Sequence, residues 1–329
     1  MSAQPRLSVI VPVYNALPFL TVLLDSLQRQ QLPEVEFLLI DDGSSDGSAA
    51  VLTGYASRDP RMRVLQQANG GPSRARNTAI AAARGRYLAF ADADDVVAPD
   101  FCSALLARAE ADQLDLLFCN GGNFDHDPAH PGSILFERAR PAGPVSGAEW
   151  IAHCAADDEF LHFVWLQCCR AELAKGFAFP EGIVHEDVIW TCELLLAAER
   201  VGYLDRTLYF YRRNPVSLVR NPDPEFQARR IEGYLAVVTR LIAMAERPGL
   251  PAATAQALFE QAAAEAGHVF RLARKLGSLR RMLATYATAA DAGLPALMRR
   301  AARGAAQQRR ARKMAWLGNI GRAYRAVAT

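Results

Sequence analysis

Three carboxylates fall within four residues at Asp92-Ala93-Asp94-Asp95, directly after the apolar run Tyr87-Leu88-Ala89-Phe90-Ala91. In a dry crevice such groups repel one another unless a cation is present. A hard divalent ion, Mg2+ or Mn2+, held by one or two carboxylates and completed by substrate phosphate oxygens, resolves that conflict. The same residues also fit a solvated acidic turn ahead of a helix over about 99–109, although Asp100 suits that capping role better than Asp92.

Two further clusters carry chemistry. Asp41-Asp42-Gly43-Ser44-Ser45-Asp46 closes a second apolar run. A carboxylate there can accept a hydrogen bond from a nucleobase N–H, while Gly43 permits a tight turn and Ser45 or Asp46 can cap the next helix. The two roles are compatible. Asn69-Gly70-Gly71-Pro72-Ser73-Arg74-Ala75-Arg76-Asn77 is a flexible turn that opens a helix. A helix N-terminus with two arginines suits a diphosphate, and Gly-Gly-Pro also serves simply to start helices.

The elements that must position these clusters are legible in the hydrophobic periodicity. Leu7–Val13 is a nearly continuous β-branched run, as in a strand buried on both faces. Residues 18–30 then place Phe19, Leu20, Leu23, Leu24 and Leu27 at helical spacing, with Asn15 as the expected cap. Strands follow over 37–40, 63–65 and 87–91, separated by helices reaching about Arg58 and over 73–83. This alternation predicts a parallel, doubly wound α/β sheet, which binds ligands beyond the carboxyl ends of its strands. Pro12-Val13-Tyr14-Asn15, Asp41-Asp42 and Asp92 all stand at such ends and so describe one site.

Beyond residue 101 the pattern is mixed. It predicts a strand over 114–119, loops around a hairpin over 121–143, an apolar-faced helix over 186–198 and short strands over 201–211. Asn221-Pro222-Asp223-Pro224 breaks the chain, and helical periodicity rich in Ala, Leu and Arg runs from there to the end. The boundary is placed at that breaker, giving domains of residues 1–221 and 222–329. No internal repeat is visible.

The formal net charge of +2 conceals an asymmetry. From Arg271 onward there are 14 Lys/Arg against a single acid, Asp291, so the remaining chain is acidic. Within the tail, Trp316, Leu317, Ile320, Tyr324 and Val327 fall close to one helical face among many arginines. Such a basic amphipathic helix suits an anionic membrane surface, or packs on the protein itself or on a second copy in a homo-oligomer. A nucleic-acid role has the charge but no binding motif. The six cysteines lack metal-ligand spacing and read as reduced, buried thiols. With no signal-peptide layout and no membrane-spanning run, the expected location is the cytoplasm, peripheral on the inner face of the membrane.

Taken together, Ser8-Val9-Ile10-Val11-Pro12-Val13-Tyr14-Asn15, Asp41-Asp42-Gly43-Ser44-Ser45-Asp46, Asn69-Gly70-Gly71-Pro72-Ser73 with Ala75-Arg76-Asn77, and Phe90-Ala91-Asp92-Ala93-Asp94-Asp95 resemble glycosyltransferase family 2, in order and spacing. The resemblance spans roughly residues 6–220. It implies a GT-A fold, a Rossmann-like, doubly wound mixed sheet, here followed by an all-helical C-terminal region. It also implies inverting transfer from a nucleoside-diphosphate sugar, most often UDP-linked, with a divalent metal. Ala91, Ala93 and Ala79 depart mildly from the family's usual larger aliphatic residue, Ser and Gly.

Carried over by position, the main chain at Pro12 and the ring of Tyr14 resemble the wall on which uracil packs, and Asp42 the base-reading carboxylate. Asn69 and Arg76 match positions near the nucleotide, Asp92 the donor-contacting first aspartate and Asp94 the metal ligand. Gly182-Ile183-Val184-His185-Glu186-Asp187 resembles the family's Glu-Asp segment. Asp187 is then the expected base that takes the acceptor hydroxyl's proton, with Glu186 beside it contacting donor sugar or acceptor. Two acids also simply favour a helix N-terminus. Trp165 and Arg212 match weaker recurring positions, for a sugar ring and for phosphate or acceptor charge; core packing suits Trp165 equally. The resemblance implies a glycan or polyprenyl-linked acceptor in bacterial surface polysaccharide or lipopolysaccharide assembly. The rivals are an inactive nucleotide- or lipid-binding scaffold and a nucleotidyltransferase, whose usual Gly-rich opening loop is unlike Pro12-Val13-Tyr14-Asn15.

Overall fold

The computed structural model describes residues 4–125, 134–135, 140–141, 143–156, 162–213 and 222–328. Most of the loop region expected over 121–143 lies outside the described residues. The chain divides into two compact units. The first comprises Met1–Trp150, His162–Gly182 and Glu193–Pro215; the second comprises Ile151–Leu161, Ile183–Cys192 and Val216–Thr329.

The first unit is built on one eight-stranded sheet. Its strands are β1 Leu7–Val13, β2 Val35–Asp41, β3 Met62–Gln66, β4 Tyr87–Phe90, β5 Val96–Val97, β6 Leu116–Phe124, β7 Gln167–Arg170 and β8 Val201–Arg212, in the order β3-β2-β1-β4-β7-β6-β8-β5. β1 to β4 are mutually parallel, β7 runs antiparallel between β4 and β6, β6 and β8 are parallel, and β5 is antiparallel to β8. The sheet is therefore mixed, as the family resemblance implies, and parallel only in the half that the alternation of strands and helices describes.

The helices α1 Leu17–Gln28, α2 Ser48–Ala56, α3 Gly71–Ala82 and α4 Phe101–Ala111 cover the sheet. α1 turns Leu20, Leu23, Leu24 and Leu27 fully inward. Each buried leucine of this kind contributes about 2 kcal/mol. β2 is buried along its whole length, which explains why its sequence shows no alternation. All six cysteines are free and buried.

Two local expectations are corrected. The segment over 201–211 is one strand rather than several: β8 takes up extra residues as bulges opposite the Cys119/Asn120 and Asn120/Gly121 steps of β6 and stays paired with it on either side. β6 itself continues through Phe124, so Gly121 and Gly122 are strand residues.

The second unit is helical. α8 Pro224–Ala245 and α9 Ala252–Ala273 pack together, and α10 Leu279–Asp291 and α11 Leu294–Arg300 pack with α12 Ala305–Ala328. The breaker at residues 221–224 is also a start signal. Asp223 accepts hydrogen bonds from the Glu225 and Phe226 amides, and Pro224 sits at the first helical position, where a missing N–H costs nothing. Two shorter helices, α5 Gly147–Ala156 and α6 Ala171–Lys175, α7 Glu186–Ala197 and a 3-10 turn over Val164–Leu166 complete the described elements.

Candidate functional site

Strand order reverses at β1: β2 and β3 lie to one side of it and β4 to the other. Such a switch point opens a crevice beyond the strand ends, and the polar clusters converge there. Loop pairing ties the ends together. The Asp42 amide donates to Val13 O at 2.8 Å, and the Ala91 amide to Ile10 O at 2.9 Å.

Asn15, expected to cap α1, does not. It adopts a left-handed φ of 47°, and its Oδ1 accepts from the Ser45 amide at 2.9 Å. The capping comes from across the crevice: Asp46 Oδ2 accepts from the Leu17 amide and Oδ1 from the Ser48 amide, both at 2.9 Å. One carboxylate thus serves the first turns of α1 and α2. Burial works to raise the Asp46 carboxyl, but these donors and the Ser48 hydroxyl hold it below the ordinary aspartate value.

Asp42 is buried against the opening of α3. Its carboxylate accepts from Gln67 Nε2 at 2.7 Å, the Gly70 amide at 3.0 Å and the Gly71 amide at 2.8 Å. Three donors leave acceptor capacity for one more, since a carboxylate has about four acceptor sites. Gly43, at φ 74°, brings the β2 turn close to the Asn69 amide. Beside it Asn69 is exposed, Pro12 is half-buried, and the Tyr14 ring is 54% exposed at the end of β1.

Arg76, buried on α3, donates through Nη2 to Asp92 Oδ1 at 3.1 Å, and its guanidinium lies 5.5 Å from the centre of the Phe179 ring. Asn77 holds that ring in place: its side-chain amide donates to Phe179 O at 2.9 Å and accepts from Phe179 N at 2.8 Å.

The acidic turn splits by direction. Asp92 and Asp94 are partly exposed, whereas Asp95 is wholly buried. Asp95 Oδ2 accepts from the Tyr209 hydroxyl at 2.7 Å and Oδ1 from the Arg212 amide at 2.8 Å. Tyr209 in turn accepts from the Asp92 amide at 2.9 Å. Burial, and then the charges of Asp94 and Asp92, push the Asp95 carboxyl well above its ordinary range; burial and Asp95 do the same to the Tyr209 hydroxyl. Arg212 donates through Nε to Asp94 O at 2.7 Å, with its guanidinium 4.5 Å from the Phe124 ring centre and 5.3 Å from that of Phe19. Trp165 is 8% exposed and stacks on Tyr209 at 4.6 Å and Tyr211 at 5.7 Å between ring centres, so it packs in the core.

Among the described residues no three His, Cys, Asp or Glu side chains converge to hold a metal by themselves. Asp92 and Asp94, both partly exposed, are of the type that suits a hard cation whose remaining ligands are substrate oxygens and water. In α7, Glu186 is buried and Asp187 half-buried at the first turn.

Sequence reasoning missed the buried Asp95–Tyr209 pair and the part played by Asn77. Each pairs residues about a hundred positions apart, so no local pattern marks them.

A family model described as Glycosyl transferase family 2 matches residues 8–149. The uncharacterized glycosyltransferase EpsJ of Bacillus subtilis is 40% identical over 221 residues, 66% of this chain and 64% of its own length. The uncharacterized glycosyltransferase YibD of Escherichia coli is 33% identical over 245 residues, 74% of this chain and 71% of its own. The chain belongs to glycosyltransferase family 2. The chain spans less than two thirds of EpsJ, so its match there is to part of that protein. Among solved structures, residues 1–349 of TarS from S. aureus, in complex with UDP-GlcNAc, superpose with a TM-score of 0.70. That likeness covers 98% of this chain and 92% of the TarS chain at 21% identity, and it establishes the GT-A fold.

Proposed function

We propose that this family 2 enzyme transfers a sugar, with inversion, from a UDP-linked donor to a hydroxyl of a glycan or lipid-linked acceptor in bacterial surface-polysaccharide assembly. The observation that carries the reading is the convergence of Tyr14, Asp42, Arg76 and Asp92 at the switch point of the sheet. The TarS neighbour solved with UDP-GlcNAc supports the choice of nucleotide.

In this reading the base packs between Pro12 and the exposed Tyr14 ring, and the remaining acceptor site of Asp42 takes its N–H. Asn69 and Arg76 lie along the nucleotide. Asp92 faces the donor, held in direction by Arg76. Asp94, with Asp92, would hold Mn2+ or Mg2+, which when bound neutralises charge building on the departing diphosphate. Arg212 braces the turn by its bond to Asp94 O and keeps further N–H groups for phosphate or acceptor charge.

Asp187 takes the acceptor hydroxyl's proton as that oxygen attacks the anomeric carbon. The new C–O bond forms as the bond to the diphosphate oxygen breaks, and the nucleoside diphosphate leaves with the electron pair. Glu186 orients donor sugar or acceptor. The outward face of α12 carries the enzyme to an anionic membrane surface, where a lipid-linked acceptor resides.

Calorimetric titration with UDP, GDP, CDP and dTDP, each with and without Mn2+, tests the donor site. Binding of UDP that tightens with Mn2+, and loses that gain in Asp94→Ala, is the expected result. A folded protein that binds none of the four, or an Asp94→Ala variant with the metal effect intact, contradicts it.

A further inference from the structure

Within the helical unit, the segment that leads into Glu186 and Asp187 is held by α8, which α9 backs through Tyr234. His185, the residue before α7, has φ 72°. A left-handed conformation at a side-chain-bearing residue costs about 1 kcal/mol and persists only where its surroundings enforce it. The enforcing contacts are visible. The His185 ring stacks on Tyr234 of α8 with centres 4.0 Å apart and planes 26° apart. The Tyr234 hydroxyl is hydrogen-bonded to Nδ1 of His268 on α9 at 3.0 Å. One residue earlier on α8, a β-carbon at Gly233 would overlap the Val184 carbonyl oxygen, so only glycine lets the helix touch this strand of backbone.

Around Tyr234 the buried face of α8 includes Gln227 and Arg230 among Phe226 and Ile231, and α9 buries Glu265 three residues before the half-buried His268. Burial, then the Glu265 charge, pushes the Tyr234 hydroxyl up to about 12, so it keeps its proton through neutral pH.

We propose that the His185–Tyr234–His268 column, together with the Gly233–Val184 contact, is a positioning device that fixes the direction in which Glu186 and Asp187 leave the turn. This rests on the reading of Asp187 as the base. His185 and Tyr234 are then positioning residues, and the helical region contributes to turnover through the backbone it holds.

The test uses the full chain. His185→Asn keeps a residue tolerant of left-handed φ and removes the stacking ring; Gly233→Ala wedges α8 from Val184; Tyr234→Phe keeps the stack. Amide hydrogen exchange over residues 186–190 requires no substrate. It should speed up about tenfold or more in His185→Asn and Gly233→Ala, and far less in Tyr234→Phe. With UDP-GlcNAc and Mn2+, UDP release should fall about ten- to a hundredfold in kcat in the first two variants, with donor KM and UDP affinity within about twofold of the parent. Unchanged exchange at 186–190 overturns the positioning device, as does a fall in kcat that is matched by lost UDP binding and lost thermal stability. Asp187→Asn with parental UDP release overturns the base assignment instead, and leaves the exchange result to judge the device.

Discussion

The Tyr209 hydroxyl donates to the buried carboxylate of Asp95 at 2.7 Å while accepting the Asp92 amide at 2.9 Å. One phenol thus joins the first and last acids of the turn to β8. Asp95 is thereby an anchor facing inward, and the turn presents its remaining carboxylates, Asp92 and Asp94, outward.

Tyr209→Phe leaves a buried carboxyl short of a donor and a backbone N–H without its acceptor. Loss of such a pair costs about 1–3 kcal/mol. Urea unfolding should show that decrease, and UDP titration with Mn2+ should show weaker binding, because the direction of Asp92 and Asp94 depends on the anchor. Parental values in both measurements would mean that the turn is held by the Arg212 contacts alone.

In the proposed reading Asp42 has two duties, holding the α3 opening and meeting the base, and substitution can separate them. Asp42→Asn retains one acceptor oxygen for the α3 opening but offers N–H groups where a base N–H would arrive. Asp42→Ala removes both duties. Both variants should lose UDP affinity by about tenfold or more, the scale of a hydrogen bond to a charged group. Asp42→Ala should also unfold at lower urea. Parental UDP affinity in Asp42→Asn would reduce Asp42 to a cap for α3.

A buried acid at the far end of the sheet should govern acid stability without touching function. Glu36 accepts from Ser8 Oγ and the Arg84 amide at 2.7 Å each, and pairs with Arg63 at 2.5 Å. Burial pushes its carboxyl up, but these donors outweigh burial and hold it below the ordinary glutamate value. With the folded value depressed, the stabilisation is present above the unfolded-chain value of about 4.3 and is lost as pH falls through the folded one. Glu36→Gln should therefore be less stable than the parent by about 1–3 kcal/mol at neutral pH, with the gap closing below about pH 4. UDP affinity at neutral pH should not change. A gap that is constant across pH would show that the charge of Glu36 contributes nothing.

The strands and helices around the switch point were legible because their signals are local: a β-branched run for β1, a short apolar run for β2, leucines at helical spacing for α1. The polar ends Asp42 and Asp92 were legible because strand ends in such sheets face a crevice. What escaped were partners supplied from afar. Asp46 replaces Asn15 as the cap of α1, and Tyr209 reaches Asp95, because the fold brings strand ends together irrespective of sequence distance. The length of β8 escaped for a related reason, since β8 remains one strand only by bulging against β6, a partner some eighty residues earlier in the chain.

The basic tail is less charged outwardly than its sequence implies. Arg303 pairs with Glu260, Arg322 and Arg325 with Asp291, and Arg300 lies over the Phe259 ring. Among the described residues Arg309, Arg312 and Lys313 make no ion pair, and they share the outer side of α12 with Trp316, 61% exposed, and Val327, 88% exposed. No helix among the described residues is long and apolar enough to cross a membrane. The other tryptophans, Trp150, Trp165 and Trp190, are buried, which makes Trp316 a reporter. Its fluorescence should shift to the blue on adding vesicles containing phosphatidylglycerol and remain unchanged with phosphatidylcholine alone. Each basic residue near an anionic surface contributes about 1 kcal/mol, so replacing Arg309, Arg312 and Lys313 with Gln should weaken vesicle binding by roughly a hundredfold. High salt should do the same to the parent. Equal binding to neutral vesicles, or none to either, would assign the Trp316 face to a protein contact, and the oligomeric state of Trp316→Ala would then show whether that contact is with a second copy of this chain.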